Sequence, residues 1–305
     1  MNLDFPDLEG HETHTLYIIG NGFDLYHGLQ STYRDFACWL YCKRDKDFVL
    51  QMENIFSKLG DPNILWSNLE QKLNDYDVRD LYQRLHQPTK TLWDLEDWKL
   101  TAKPVKSTIV KLRPLMKEWA QTLKCHFDKP LLPLSKESLY LTFNYTKTLE
   151  DVYHIPDEQI CHIHGHVDSD EVIVGHNKKL NALNHYAERD EEEVVERELI
   201  EVMNGIDKNI SIQIKKNQSF FDRLQDVSRV VVLGHSLNGI DREYFNQVFR
   251  LVLDNTHWHF STHTPSDNVH AHEFVKSYQN IDKDEQKREE IINKMKPENC
   301  WFFNF

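Results

Sequence analysis

The sequence predicts an α/β fold built on a parallel sheet, and three observations carry that prediction. Short apolar runs recur along the 305 residues, several of them are continuous rather than alternating, and glycine-ended runs lead into helical stretches. A strand buried on both faces reads as a continuous apolar run. A strand that ends in glycine before a helix is the repeating βα unit.

The strands are expected at "TLYIIG" (15–20), "LYLTFN" (139–144), "QICHIHG" (159–165), "EVIVG" (171–175), "RVVVLG" (229–234), "HWHFST" (257–262) and "CWFFNF" (300–305). Residues 30–130 read as a helical insertion or layer. In "FVLQMENIFSKL", "ILWSNLEQKL", "DLYQRLH" and "TIVKLRPLMKEWAQTLKCHF" the apolar residues recur at three- and four-residue spacing. Pro88 and Pro104 bracket "TKTLWDLEDWKLTA", which marks a break or irregular link. A second helical segment spans about 178–226 and contains the charged run "ERDEEEVVERELIE", read as a solvated face. A further helix, "HAHEFVKSYQNIDKDEQKREEIINKM", precedes the last strand. The expected organisation is one α/β domain over 1–305.

Composition narrows the function classes. Asp and Glu number 49 against 36 Lys and Arg, for a net charge of −13. Nucleic-acid affinity is mostly lysine and arginine meeting phosphate, so a nucleic-acid partner is disfavoured. No run approaches the ~18 apolar residues of a membrane-spanning helix, so no membrane partner is expected. The acidic start "MNLDFPDLEGHETH" is unlike a secretory signal. The five cysteines, Cys38, Cys42, Cys125, Cys161 and Cys300, are odd in number and scattered. A disulfide framework is not expected; buried thiols in a reducing cytoplasm are.

Ligands of open α/β sheets bind beyond the carboxyl ends of the strands. The predicted strands are followed there by "GNGFD", "NYTKTLE", "HGH", "GHN" and "GHSLNGID". Taken singly each has an ordinary reading. "GNG" is only part of a dinucleotide fingerprint, His164 could be a hydrogen-bonded structural histidine, and Asn144 could cap a helix. Together they place glycine, asparagine, histidine and serine at five strand ends, which core packing does not require.

At these residues the chain resembles the sirtuin-type NAD-binding fold. Gly20, Gly22 and Gly28 match its glycine spacing, "FNYT" supplies Asn144, "IHG" supplies His164 and Gly165, and "VVVLGHSL" supplies Gly234, Ser236 and Leu237. The sirtuin-like branch of prokaryotic antiviral defence is a closer likeness. Closest is the abortive-infection AbiH family, through "GNGFD", "LWSNLE", "FNYT", "IHG" and "GHSL…D" over about 15–250. The resemblance implies a sirtuin-like Rossmann sheet with helical insertion and layers, and an NAD-consuming effector of bacterial defence. Three departures stand out. The two zinc-holding cysteine pairs of sirtuin deacylases are absent, their "FGE" is "VGH" at 174–176, and the aspartate usual after "NY" is Thr146. The first two speak against protein deacylation; the third leaves the orientation of Asn144 open.

The nicotinamide–ribose bond of NAD is already activated, because the cationic leaving group departs neutral. What helps is stabilising an oxocarbenium-like sugar and guiding a nucleophile to it. The catalytic candidates are therefore Asn144, which orients water or ribose, His164 as base near neutral pH, and Asp24 as ribose or catalytic support, or as a cap. Gly20, Asn21 and Gly22 are expected to present backbone N–H groups to the pyrophosphate. Phe23, Gly28, Tyr145, Gly165, Gly234, His235, Ser236 and Asp241 complete the NAD-binding set, with no metal expected. NAD is the expected partner. A silent effector further calls for a phage-derived or host trigger, and the helical layers offer surfaces for a homo-oligomer.

Two alternatives stay open. One is a non-catalytic sensor of NAD or ADP-ribose. The other is a metal-dependent hydrolase or nuclease, since His162, His164 and His166 would share one strand face and could gather with His176, His235, Asp24 and Asp241. Glu70, one turn from Trp66, reads either as a surface acid on a packing helix or as a lid residue.

Overall fold

A computed structural model describes residue 6 and residues 12–57, 62–77, 95–125, 127–178, 190–279 and 299–304. The chain divides into two compact units. One is drawn from Met1–Ser31, Ala120–Ser169 and Ile210–Phe305, the other from Thr32–Trp119 and Asp170–Asn209.

The first unit holds a six-stranded sheet of β1 (Thr15–Ile19), β2 (Leu139–Thr142), β3 (Ile160–His162), β4 (Arg229–Leu233), β5 (His257–Thr262) and β6 (Cys300–Asn304). All neighbours are parallel and the order is β3-β2-β1-β4-β5-β6. This is the doubly wound Rossmann order, which reverses direction between β1 and β4. Successive side chains point to opposite faces. Leu16, Ile18, Val230, Val232, Trp258 and Phe260 enter one core with Phe245, Phe249 and Phe274. Tyr17, Ile19, Tyr140, Val231 and Leu233 enter the other with Phe23, Leu149 and Val152. Both faces are covered, which is why "LYII" and "VVVL" read as unbroken apolar runs.

Three short helices position the candidate site. Helix α1 (Asn21–Tyr26) follows β1, and Phe23 anchors it on the second face. Gly28 takes the left-handed conformation (φ 75°) just past its end, where a side chain would be strained. Helix α2 (Thr148–Tyr153) follows β2 and buries Leu149, Val152 and Tyr153 on the same face. Helix α3 (Arg242–Leu251) follows β4 and packs Tyr244, Phe245 and Phe249 on the opposite face.

The second unit is helical, and here the expected strand at 171–175 is corrected. Val172, Ile173 and Val174 are buried, but the segment joins no sheet; His176 forms one isolated bridge with Asp207. Side chains satisfy its backbone instead. Arg113 Nε donates to the Val174 carbonyl at 3.2 Å, and the Gly175 N–H donates to Glu70 at 3.4 Å. Gly175 lies so close to Ile206 that a Cβ would stand 1.7 Å from its carbonyl oxygen. An apolar run signals burial, and burial here is not sheet membership. Glu70 is itself buried, with Lys208 Nζ 2.9 Å from its Oε2.

Other expectations also shift. Pro104 lies inside the helix Leu95–Ile109 rather than at a break, and Pro88 and 80–86 lie outside the described residues. "ILWSNLEQKL" is interrupted at Asn68 between Pro62–Ser67 and Leu69–Asn74. Cys161 is buried, which pushes its thiol up to about 12, but Cys38 and Cys42 are exposed. They lie on the face of Tyr33–Trp39 and its continuation away from buried Phe36 and Leu40.

Candidate functional site

The turn after β1 packs tightly on the turn after β4. A Cβ on Gly20 would stand 2.5 Å from the His235 Cα, and one on Gly22 2.6 Å from the Gly234 Cα. Gly234 is left-handed (φ 63°) and faces Phe23 N equally closely. The three glycines therefore let two backbones touch. This contact also consumes donors. The Gly20 N–H donates to the Leu233 carbonyl, Gly22 to Gly234, and Phe23 to Gly20, at 2.9, 2.8 and 3.0 Å. The pyrophosphate role read for Gly20 and Gly22 thus meets N–H groups already engaged within the protein. Asn21 opens α1, and its side chain accepts from the Ser31 hydroxyl at 2.6 Å.

Beyond β2 the chain builds a buried polar cluster. Asp24 is only 2% exposed. Its Oδ2 accepts from the Thr146 hydroxyl at 2.5 Å and its Oδ1 from the Thr148 hydroxyl at 2.9 Å. Asn144 donates from its amide to the Gly20 carbonyl at 3.2 Å, and its backbone N–H donates to the Thr142 hydroxyl. Burial pushes the Asp24 carboxyl up from 3.8 to about 6, while the Thr146, Thr148 and Asn144 side chains and the nearby His162 pull it back. The helix-cap readings of Asp24 and Asn144 are corrected. Asp24 sits within α1, and the residue preceding α2 is Lys147. The departure at Thr146 also finds its answer here. A carboxylate does stand in the cluster, delivered from 122 residues away by Asp24.

His162 ends β3 beside this cluster. Its Nδ1 lies 3.2 Å from the Asn144 carbonyl oxygen and its Nε2 2.9 Å from Glu150 Oε1. Burial would raise the Glu150 carboxyl, but the hydrogen bond and charge of His162 outweigh it and hold the group below its ordinary value.

A second cluster forms on the α3 side of the sheet. Asp241 precedes α3 and stands between two buried imidazoles. His164 Nε2 is 3.7 Å from its Oδ1, and His235 Nε2 is 3.6 Å from its Oδ2. The Leu237 N–H donates to His235 Nδ1 at 3.0 Å, so in neutral His235 the ring proton sits on Nε2, facing Asp241. Phe143 packs edge-on against both rings, at 5.1 Å from His164 and 4.6 Å from His235. Phe143 and Asn144 are adjacent, so the two clusters lie back to back at the strand ends.

The sequence-derived set therefore divides. Asp24 and Asn144 meet in one cluster; His164, His235 and Asp241 meet in the other; Gly20, Gly22, Phe23 and Gly234 close the turns between them. Tyr145 accepts the Val167 N–H through its carbonyl, Gly165 is left-handed (φ 73°) in the turn after β3, Gly28 ends α1, and Ser236 is exposed. The shared-face expectation for His162, His164 and His166 is corrected. The strand stops at His162, and the turn closed by Gly165 N–H to His162 O sends His164 to Asp241, while the His166 ring lies tilted against that of His162 with centroids 4.8 Å apart. His176 belongs to the helical unit, its Nε2 2.8 Å from the Met203 carbonyl. Among the described residues no group of three or more His, Cys, Asp or Glu could hold a metal ion. Thr148 and Glu150 escaped sequence reading as members of the Asp24 cluster, whereas His162 stands beside Asp24 in that reading only as a possible metal ligand. The signal for Glu150 was its place at the end of the strand-end segment "NYTKTLE".

Fold and site together define a class: a doubly wound α/β protein with buried polar clusters at the carboxyl ends of its strands, flanking the switch point where nucleotide-binding folds hold their ligands. The chain belongs to the family described as Bacteriophage abortive infection AbiH, whose sequence pattern matches residues 16–262. That membership implies a role in abortive infection by phage. Comparison with curated proteins and with solved structures finds no match. Among the described residues no helix is long and apolar enough to cross a membrane.

Proposed function

We propose that this chain hydrolyses NAD to ADP-ribose and nicotinamide, and that loss of NAD is how it acts in abortive infection. The observation that carries the reading is buried Asn144, held by the Gly20 carbonyl next to an Asp24 carboxyl that burial pushes up to about 6. A buried amide fixed at a strand end beside a group able to exchange a proton near neutral pH suits orientation of a ribose and its attacking water. Asn144 orients the reactants and Asp24 positions Asn144. His164, with Asp241 at 3.7 Å, is the base. The phosphates lie away from the Gly20 and Gly22 N–H groups, which are engaged. Activity is set by a phage-derived or host trigger, with self-association as a means of control.

The test is release of nicotinamide from NAD by purified protein, with and without lysate of infected cells. Asn144→Ala and His164→Ala each lower the rate about a hundredfold or more if the roles are right. Undiminished release in both variants removes the site assignment, and no release under any condition removes the reaction. A second reading, a sensor that binds NAD or ADP-ribose without turnover, is favoured by the burial of both Asn144 and His164. Thermal stabilisation by NAD with no nicotinamide released would establish it.

A further inference from the structure

One atom beside the Asn144 cluster has no use in the structure described above. Glu150 Oε1 accepts from His162, but Glu150 Oε2 is buried with no hydrogen-bond partner among the described residues. Buried polar atoms are nearly always satisfied, and an orphan needs a reason.

The surroundings specify what would satisfy it. His162 turns its two ring nitrogens to the Asn144 carbonyl and to Glu150 Oε1, and against the burial that would raise it this contact holds the Glu150 carboxyl below its ordinary value. With its carboxyl held below the ordinary value Glu150 is ionised at neutral pH, and an ionised carboxylate only accepts. The missing partner is therefore a donor. A metal ion is not indicated, because no group of three or more His, Cys, Asp or Glu among the described residues could hold one. The partner is not a phosphate, because Glu150 and, one turn away through Thr148, Asp24 repel anions. A neutral hydroxyl remains. Glu150 is one imidazole away from Asn144, so the hydroxyl belongs to the part of a ligand that Asn144 orients.

We propose that Glu150 is a ligand-binding residue whose Oε2 accepts a hydrogen bond from a sugar hydroxyl, and that His162 is the positioning residue that holds it. Resting on the NAD reading above, the sugar is the ribose that bears nicotinamide. The two carboxylates then mark the sugar end of the site and exclude its phosphate end.

Calorimetric titration of the full chain with ADP-ribose and with ADP, which lacks the terminal ribose, tests this. Wild-type protein binds ADP-ribose about tenfold or more tightly than ADP, as expected for a hydroxyl bonded to a charged acceptor. Glu150→Gln keeps an acceptor for His162 but loses the charge, so ADP-ribose weakens about tenfold while ADP changes by less than about twofold. Equal weakening of both ligands overturns the assignment and leaves Glu150 a structural partner of His162. Equal wild-type affinity for the two ligands overturns it without any variant. If wild-type protein binds NAD or ADP-ribose but Glu150→Gln keeps the preference, this inference fails and the NAD reading stands. If wild-type protein binds none of the three, both fail.

Discussion

Asp24 in the sheet unit and Glu70 in the helical unit are both buried carboxylates, and opposite means keep them. Asp24 is held by neutral donors, two threonine hydroxyls and the Asn144 amide. Glu70 is held by a cation, Lys208, whose side chain is fully buried. The hydroxyls favour the carboxylate, but burial outweighs them and lifts the Asp24 carboxyl to about 6, so Asp24 keeps the freedom to change its protonation. The ammonium serves only the carboxylate, which fixes charge and geometry together. Of the two buried acids, the one with neutral partners is suited to chemistry and the other to holding a loop in place. The surface-acid reading of Glu70 is the one corrected: the carboxylate is buried, and it also receives the Gly175 N–H and so ties 171–176 to its helix.

The largest expected effect breaks the Glu70 side of this contrast. Lys208→Met leaves a buried charge without its counter-ion and costs about 3–5 kcal/mol in equilibrium denaturation. Adding Glu70→Leu recovers most of that loss, because removing both charges removes the desolvation cost as well. A double variant no more stable than the single one would mean that Glu70 is not charged against Lys208.

The next effect sharpens the Asp24 side and has a definite sign. Its carboxyl sits at about 6 in the folded chain against 3.8 as the reference. Below both values the two states bind the proton equally; between them the folded state binds more. Stability conferred by this group is therefore full in acid and falls as pH rises from about 4 to 6, by roughly 3 kcal/mol. Asp24→Asn removes that slope and is more stable than wild type at neutral pH by roughly 2 kcal/mol. If Asp24 acts as proposed, the same variant loses nicotinamide release while gaining stability. Parallel loss of both would make Asp24 a purely structural acid.

The smallest effect concerns one hydroxyl. Thr148→Val removes one of the two donors to Asp24 and costs about 1 kcal/mol at neutral pH. It also carries the Asp24 carboxyl higher and extends the pH-dependent loss of stability to higher pH. A shift in the opposite direction would show that Thr148 does not donate to the carboxylate.

Much of the sheet was legible because its cause is local. The runs at β1 and β4 carry enough apolar residues in sequence to announce two covered faces, and the glycines after them mark turns that no side chain could enter. The segment 171–175 looked the same and is not a strand, since pairing needs a neighbour in register and its neighbours are the side chains of Arg113 and Glu70. The site was legible as positions. Strand ends drew attention to Asp24, Asn144, His164 and Asp241 without telling which would meet. Parallel pairing of β1 with β2 brings Asp24 to Thr146 and Thr148, and the turn at Gly165 separates His164 from His162.

The sequence by itself determined the α/β class, the burial of the central strands on both faces and the need for glycine in "GNGFD", all of which follow from patterns within a few residues. Tertiary structure decided what those glycines and Asp24 are for. The glycines seat one turn against another and use up their own N–H groups, and Asp24 turns inward to hydroxyls far away in the chain. Hydrophobic periodicity is written along the chain, whereas the partner of a buried polar group is set by strand order and register, which arise only when distant segments pack.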